Sequence, residues 1–481
     1  MATDRWCRRR GRRSDKQNCR APRRKAAPGP AATTTTVDDV PDHLLEDILL
    51  RLGPSSACLV RAAYACRRWH RVVTGEGFLD AFRDRHGERH HVAGHYHTVE
   101  AHHDSASAVL PGGGTSVFVP SPSLAGVDGG RFSLDFLPEN DDGGDSRWEI
   151  ADSRGGLLLL TKKKRPYAYH AVDDLRFSFS DLIVCEPLTR RYQGILCPAD
   201  LRGYSCLGVF LLDGDETGGG GISMSNFRVI CGLYDRHRWY DNVNFGAPLV
   251  CVFSSGSDGG GWRLPKSAVA DDIQLPVRFG DLSLSFVGRA NGYLYWGIDH
   301  GDGAVLVLDE CTTEFSFLTF PESIMESYHH RTFRIIAGAD GATRVVRVIA
   351  NELKVFRQLA GSSSRGGGHD ESWVLEKLVR LPEATRGLRG HKERYFQQNG
   401  AMIVGQNGAM IVAANTAYVL LTPAVKKWLF SVELETMRAE RRHERNKYAG
   451  AAYPYELPLL RALQAADAAT DDRITGRRRR R

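Results

Sequence analysis

Residues 44–73 read LLEDILLRLGPSSACLVRAAYACRRWHRVV, a dense apolar run that closes on Cys66, two arginines and Trp69. Leu44, Leu45, Ile48, Leu49 and Leu52 recur at the spacing of one helical face until Gly53-Pro54 stops the run. Pro41 suits a first helical turn, and Asp42 places negative charge there. Ser55 or Ser56 caps a second helix whose face is Leu59, Ala62, Ala63 and Cys66, at i, i+3, i+4 and i+7. A third segment carries Trp69, Val72 and Val73 up to Gly75, and GFLDAFRDRHG adds one more short helix ending at Gly87. A small helical unit is therefore expected over 37–86.

At 481 residues the chain is too long for one ordinary domain, so a small unit followed by a large one is expected. A 42% hydrophobic and 25% charged composition is that of a globular protein, and no run approaches the roughly 18 apolar residues of a membrane helix. The ten Cys include no C-x-x-C pair, and there is no secretory apolar segment and no N-x-S/T sequon. These features favour a reducing, intracellular home, nucleus or cytoplasm, with free thiols. The net charge of +7 misleads until it is located. Residues 1–36 carry +9 and residues 473–481 carry +6, and subtracting both leaves −8 for residues 37–472. The body is mildly acidic and only the tails are basic, so neither a membrane nor a nucleic acid is the expected partner.

Residues 1–36 combine Arg, Pro, Ala and Thr without apolar periodicity and read as a disordered basic tail. RRRGRR and the closing RRRRR fit a nuclear signal, a transit peptide or a plain solvated tail. Residues 87–114 read as a flexible His/Gly-rich linker: seven of the 17 His lie between His86 and His103, irregularly spaced and without Cys. A specific metal site is not expected there.

Residues 115–440 read as a large β-domain, with short β-branched and aromatic runs between Gly, Asp and Ser turns. A glycine turn leads into a strand in SRGGLLLL, RANGYLYWGI and GQNGAMIVAA. Downstream, a strand runs through a polar turn into another in LIVCEPLTRRYQGIL, VLVLDECTTEFSFLTF and YVLLTPAVKKWLFSVEL. Hairpins of one style, with no long helices between them, favour a propeller-like array over a βαβ fold. QNGAMIVG at 398–405 is repeated as QNGAMIVA at 406–413, and an even-numbered insertion keeps each side chain on its own face. Residues 441–481 read as a charged segment with a short helix starting near Pro458 and an Arg tail. The fold class is thus α+β and multidomain.

Apparent catalytic and metal sites dissolve once spacing is enforced. DGDETGGGGISM places Asp213, Asp215, Thr217 and Gly218 like the start of an EF-hand loop, but Met224 stands where a bidentate Glu is needed. Ser257 in SSGSDGGGW is not in G-x-S-x-G, and the 50 Gly include no phosphate loop of Walker type. Asp173-Asp174 and Asp271-Asp272 sit in polar, loop-like sequence. No catalytic residue, metal site or cofactor is called for.

The stretch VPDHLLEDILLRLGPSSACLVRAAYACRRWHRVV resembles an F-box. Pro41, Leu44, Leu45, Ile48, Leu49, Arg51, Leu52, Pro54, Leu59, Arg61, Cys66 and Trp69 occupy the motif's places in order, with Val40 for its first Leu, Gly53 inserted before Pro54, and Ala65 for a Val. The remainder is similar in style to the propeller-like F-box-associated domains of large plant families, those of grasses especially, in SRGGLLLL, VCEPLTRRY, VFSSGSDGGGW, NGYLYWGI and AYVLLTPAVKKWLFSVEL. The resemblance implies a three-helix F-box that docks a Skp-type adaptor and through it a cullin. The β-domain would then bind a target protein, whose identity the sequence leaves unknown. It makes the chain a non-catalytic substrate receptor of a ubiquitin ligase. Pro41, Leu44, Leu45, Ile48, Leu49, Pro54, Leu59 and Trp69 are the candidate adaptor-binding residues. Spacing alone leaves open which of them pack the bundle instead, as Leu45, Leu52, Cys66 and Val72 do in a purely structural reading. The rival reading is a ligand- or glycan-binding propeller, with Trp239, Tyr240, Trp262, Tyr293, Tyr295 and Trp296 lining a pocket.

Overall fold

The computed structural model describes residues 39–52, 56–75, 77–86, 91–98, 116–121, 129–138, 146–164, 179–214, 222–234, 245–246, 248–256, 260–263, 275–276, 284–298, 303–359, 373–396, 408–423, 428–441 and 452–457. Four helices come first: α1 (Asp42–Leu50), α2 (Ser56–Ala65), α3 (Arg67–Val73) and α4 (Phe78–His86). The resemblance implied three helices; the fourth, α4, is the short helix that the sequence places before Gly87. Helix α1 begins where Pro41 holds an extended ψ of 149°, and the Asp42 carboxylate in its first turn accepts from Arg68 at 2.8 Å and Arg71 at 3.2 Å. The two guanidinium groups hold that carboxyl below its usual range. Cys66, expected on the face of α2, is instead an exposed and extended residue between α2 and α3 whose Sγ accepts from the Trp69 N–H at 3.5 Å. Leu45, Leu49, Leu59, Ala62, Ala63, Val73, Phe78 and Phe82 form a core drawn entirely from the helices.

Beyond α4 the described residues are mostly strand. Strands β1 (His91–Thr98) and β2 (Ser116–Pro120) pair antiparallel. Strands β3 (Ser146–Arg154), β4 (Leu157–Lys164), β5 (Leu182–Glu186) and β6 (Arg191–Ile195) form an antiparallel meander. Next come β7 (Ser205–Asp213), β8 (Phe227–Tyr234), β9 (Phe245–Gly246), β10 (Pro248–Ser254), β11 (Gly261–Arg263) and β12 (Leu275–Pro276). Of these β7, β8, β10 and β11 make a second four-stranded sheet, and β9 pairs with β12. Strands β13 (Leu284–Ala290), β14 (Tyr293–Ile298), β15 (Ala304–Asp309) and β16 (Phe315–Thr319) form a third meander, and β17 (Phe333–Ala337), β18 (Thr343–Ile349), β19 (Glu352–Gln358) and β20 (Trp373–Arg380) a fourth. These two fuse into one eight-stranded sheet because β13 and β17 pair in parallel, Gly288 with Ile335 and Arg289 with Ile336. Strands β21 (Ala409–Ala414), β22 (Tyr418–Pro423), β23 (Phe430–Glu433) and β24 (Ala439–Arg441) form a fifth, and β25 (Ala452–Leu457) pairs with β1.

Two boundaries therefore differ from the expectation. The stretch read as a linker over 87–114 contributes β1, and the segment after 440 contributes β25, which lies on β1 from His91↔Leu457 to His97↔Ala452. The expected helix near Pro458, both basic tails and the first copy of the duplication lie outside the described residues; the second copy supplies β21.

Apolar runs without alternation mark strands covered on both faces. In β4, Leu157 and Leu159 join a cluster with Val184, Val229 and Cys231, while Leu158 and Leu160 join another with Tyr96, Ile150 and Tyr455. Burying each such leucine contributes about 1.5–3 kcal/mol. The pattern recurs: Val305 and Val307 pack on one side of β15, Leu306 and Leu308 on the other. The first strands of the five meanders and β25 are neighbours in turn, β3 with β7, β7 with β13, β13 with β17, β17 with β21, β21 with β25, and β25 with β3.

Candidate docking face of the helical bundle

Helix α1 divides its apolar residues between two adjoining stripes. Leu45 and Leu49 point inward and are 1% and 0% exposed, whereas Leu44 and Ile48 are 46% and 51% exposed. Pro41, at i to their i+3 and i+7, is exposed on the same side. The apolar arc is wider than the bundle can cover, so part of it meets solvent. Of the eight candidate residues, Pro41, Leu44 and Ile48 are thus at the surface, and Trp69 is half-buried. Leu45, Leu49 and Leu59 belong to the core, and Pro54 lies outside the described residues. Of the alternative packing set, Leu52 and Val72 are half-buried and Cys66 is exposed. Arg68 and Arg71 of α3 reach across to Asp42, fixing the start of α1 beside this face.

The other groups singled out in the sequence are dispersed. Trp296 is buried and donates to the Leu207 carbonyl at 3.0 Å, Tyr295 packs on the opposite face of the same strand, and Trp262 donates to Leu196 O at 2.8 Å. Tyr293 is partly exposed, and Trp239 and Tyr240 lie outside the described residues. The described aromatics of the set therefore serve separate packing interfaces rather than one pocket. Asp213 pairs with Arg154 and Met224 is buried in the core; residues 215–221 between them are outside the described residues, as are Ser257 and both paired-acid stretches. His95 meets the Tyr418 hydroxyl at 2.6 Å and His97 is buried, and among the described residues no three His, Cys, Asp or Glu are placed to hold a metal. Burial pushes the Cys197 thiol up to about 12 and those of Cys185 and Cys231 well above their usual range, so these thiols stay protonated and inert.

One grouping went unnoticed in the sequence, the basic stretch HHRTFR at 329–334. Arg331 and Arg334 both reach β21, at Met410 and Ile411. Its signal was available: two arginines and two histidines in six residues of a body that is acidic as a whole.

Residues 37–80 match the F-box domain model. A 144-residue stretch is 28% identical to the peroxisomal ATPase PEX6 of Dictyostelium discoideum, covering 29% of this chain and only 12% of that protein. The β-propeller domain of Cps50 (Swd1) from Myceliophteria thermophila overlaps 65% of this chain and 92% of its own at 11% identity and a TM-score of 0.30. A catalytically inactive virginiamycin B lyase from Staphylococcus aureus overlaps 65% and 90% at 12% identity and a TM-score of 0.28. Both overlaps are slight, and the architecture rests on strand order and register. The chain carries an F-box domain at residues 37–80, ahead of a remainder whose described residues are mostly β-sheet.

Proposed function

We propose that this chain is the substrate-recognition subunit of a Skp-cullin-F-box ubiquitin ligase, acting in the nucleus or cytoplasm. The observation that carries the reading is the F-box match over 37–80, in a bundle that leaves Leu44 and Ile48 half-exposed beside a core already filled by Leu45, Leu49 and Leu59. F-box domains in general bind Skp-type adaptors. Here Pro41, Leu44, Ile48 and the accessible part of Trp69 are the contact face, and the buried leucines hold it in shape from beneath. So small a bundle buries little apolar surface of its own, and an adaptor helix laid on α1 supplies what is missing.

The β-sheet remainder is the target receptor. We infer that its sheets follow one another round an axis as six propeller-like blades. The sequential contacts of the first strands support this, as does a small cluster in which Leu420 and Leu429 meet Ala452, joining the fifth sheet to β25. Loops at one end of such an array present a target, and ubiquitin transfer belongs to other subunits. The chain's contribution is proximity, a raised local concentration of target lysines.

Capture of the full-length chain on an immobilised Skp-type adaptor tests the reading. Ile48→Asp is expected to weaken capture at least about tenfold while leaving helical circular dichroism unchanged, since burying one carboxylate at an apolar contact costs more than about 1.4 kcal/mol. Leu49→Asp is expected to unfold the bundle outright. Full capture by Ile48→Asp would sink the assignment.

A further inference from the structure

We infer that Arg331 and Arg334 form an oxyanion-binding site at the entrance to β17, which takes a phosphate or carboxylate group carried by the target polypeptide; the identity of that carrier rests on the proposed receptor role.

The turn that bears Arg331 is held from beneath. Arg347, fully buried, donates its Nε to Ile324 O at 2.6 Å and its Nη1 to Thr332 O at 3.1 Å and Thr332 Oγ1 at 2.8 Å. The Thr332 N–H closes the turn on His329 O at 2.8 Å. With its backbone fixed in this way, the turn packs against β13, β18 and β21. That position is among the first strands of the sheets, not at an outer edge.

Both guanidinium groups reach β21. Arg334 donates to the carbonyls of His330 and Phe333 and, at 3.5 Å, to Ile411 O. Arg331 lies 3.8 Å from the Met410 Sδ, a weak acceptor. Met410 and Ile411 are consecutive residues of β21, and the Arg331 charge is near enough to act on Arg334.

Among the described residues neither has a carboxylate partner, whereas several arginines of the sheets do. Arg154 faces Asp213, Arg289 faces Glu310, and Arg344 faces Asp340 and Glu376. Among the described residues no carboxylate pairs with Arg331 or Arg334. The charges felt by His330 are those of the same two arginines, and with burial they hold its pKa down to about 4, so it stays neutral at pH 7. Burial and the neighbouring Arg331 likewise bring Arg334 down to about 10, still fully charged at pH 7. Two neighbouring cations, one of them half-buried, with no carboxylate beside them are electrostatically unfavourable in the free protein. Planar guanidinium forks match the geometry of phosphate and carboxylate oxygens and relieve that cost when one binds. Arg331 is exposed and Arg334 partly so, which leaves the pair accessible from solvent.

The experiment is calorimetric titration of the full-length chain with inorganic phosphate and, separately, with acetate at matched ionic strength. Saturable binding of at least one anion is expected, weakened about tenfold or more by Arg331→Glu and less by Arg331→Lys. Tighter binding of phosphate assigns a phosphorylated target residue, and equal binding an acidic one. Arg334 also secures backbone carbonyls, so the exposed Arg331 carries the test, with thermal melts confirming the fold. No saturable binding to the unaltered chain, or equal affinity in Arg331→Glu, overturns the site. Adaptor capture alongside absent anion binding defeats this inference alone, whereas anion binding by a chain that fails adaptor capture defeats the receptor reading and upholds the site.

Discussion

Ile48 and Leu49 are neighbours in sequence and opposites in environment, one half-exposed and the other wholly buried. Periodicity places both in the apolar arc of α1, but which side of the arc α2–α4 cover depends on how those helices cross it. His330 presents the same division in electrostatic form. Nothing in its own sequence marks it as more than a surface histidine, yet burial and two arginines lower its pKa to about 4 from the ordinary 6.5. Above pH 6.5 it is neutral in both the folded and the unfolded chain. Between 6.5 and about 4 the unfolded chain takes up the proton first, so stability must fall as pH falls through that window. The urea midpoint of the intact chain is expected to drop from pH 7 to pH 5 by more than that of His330→Gln. An equal drop in both would mean that His330 titrates normally.

Elements were legible where chemistry is local. The Gly155-Gly156 and Asn291-Gly292 turns, all at positive φ, stand where the repeated hairpin grammar puts them, between the first two strands of their sheets. In GQNGAMIVAA too a strand follows the glycine, β21, here as the first of its sheet. β1 was missed because alternate histidines in HVAGHYHT mask the apolar series of a half-buried strand. Its ladder partner, β25, is more than 350 residues away in sequence. Gly288 is the sharpest constraint at this scale. It holds a φ of +153°, and a Cβ there would meet the Ile335 carbonyl oxygen at 2.0 Å, in the parallel pair that joins two meanders into one sheet. Gly288→Ala is expected to cost roughly 2–4 kcal/mol, read as a lowered denaturation midpoint. An unchanged midpoint would mean that β13 and β17 do not approach so closely.

At the scale of the whole molecule, single groups tie several sheets together. Asp152 of β3 accepts from the Leu211 N–H of β7 at 2.8 Å and lies 3.8 Å from Arg289 of β13, which in turn donates to Leu211 O and to Glu310. Burial pushes the Asp152 carboxyl up, and Arg289 and the backbone donors oppose the push. β25 is a similar tie: Tyr455 and Leu457 fill the core beneath β1, the Pro454 carbonyl accepts from Ser153, and the Glu456 carboxylate accepts from the Gly155 N–H. A chain ending at residue 441 loses all of these contacts and is expected to melt earlier and less cooperatively than one ending at 457. Equal melting of the two truncations would show that β25 contributes nothing to the β-sheet body.

By itself the sequence determined the helical unit and its apolar arc, the acidic body between basic tails, and most of the hairpins, because helix period, turn chemistry and charge are set by residues close together along the chain. Only the tertiary structure decided which half of the arc faces water, that the expected linker and the far end of the chain share one sheet, and that Arg331 and Arg334 both reach β21. Those outcomes depend on contacts between residues tens to hundreds of positions apart, and local pattern carries no information about which of them will meet.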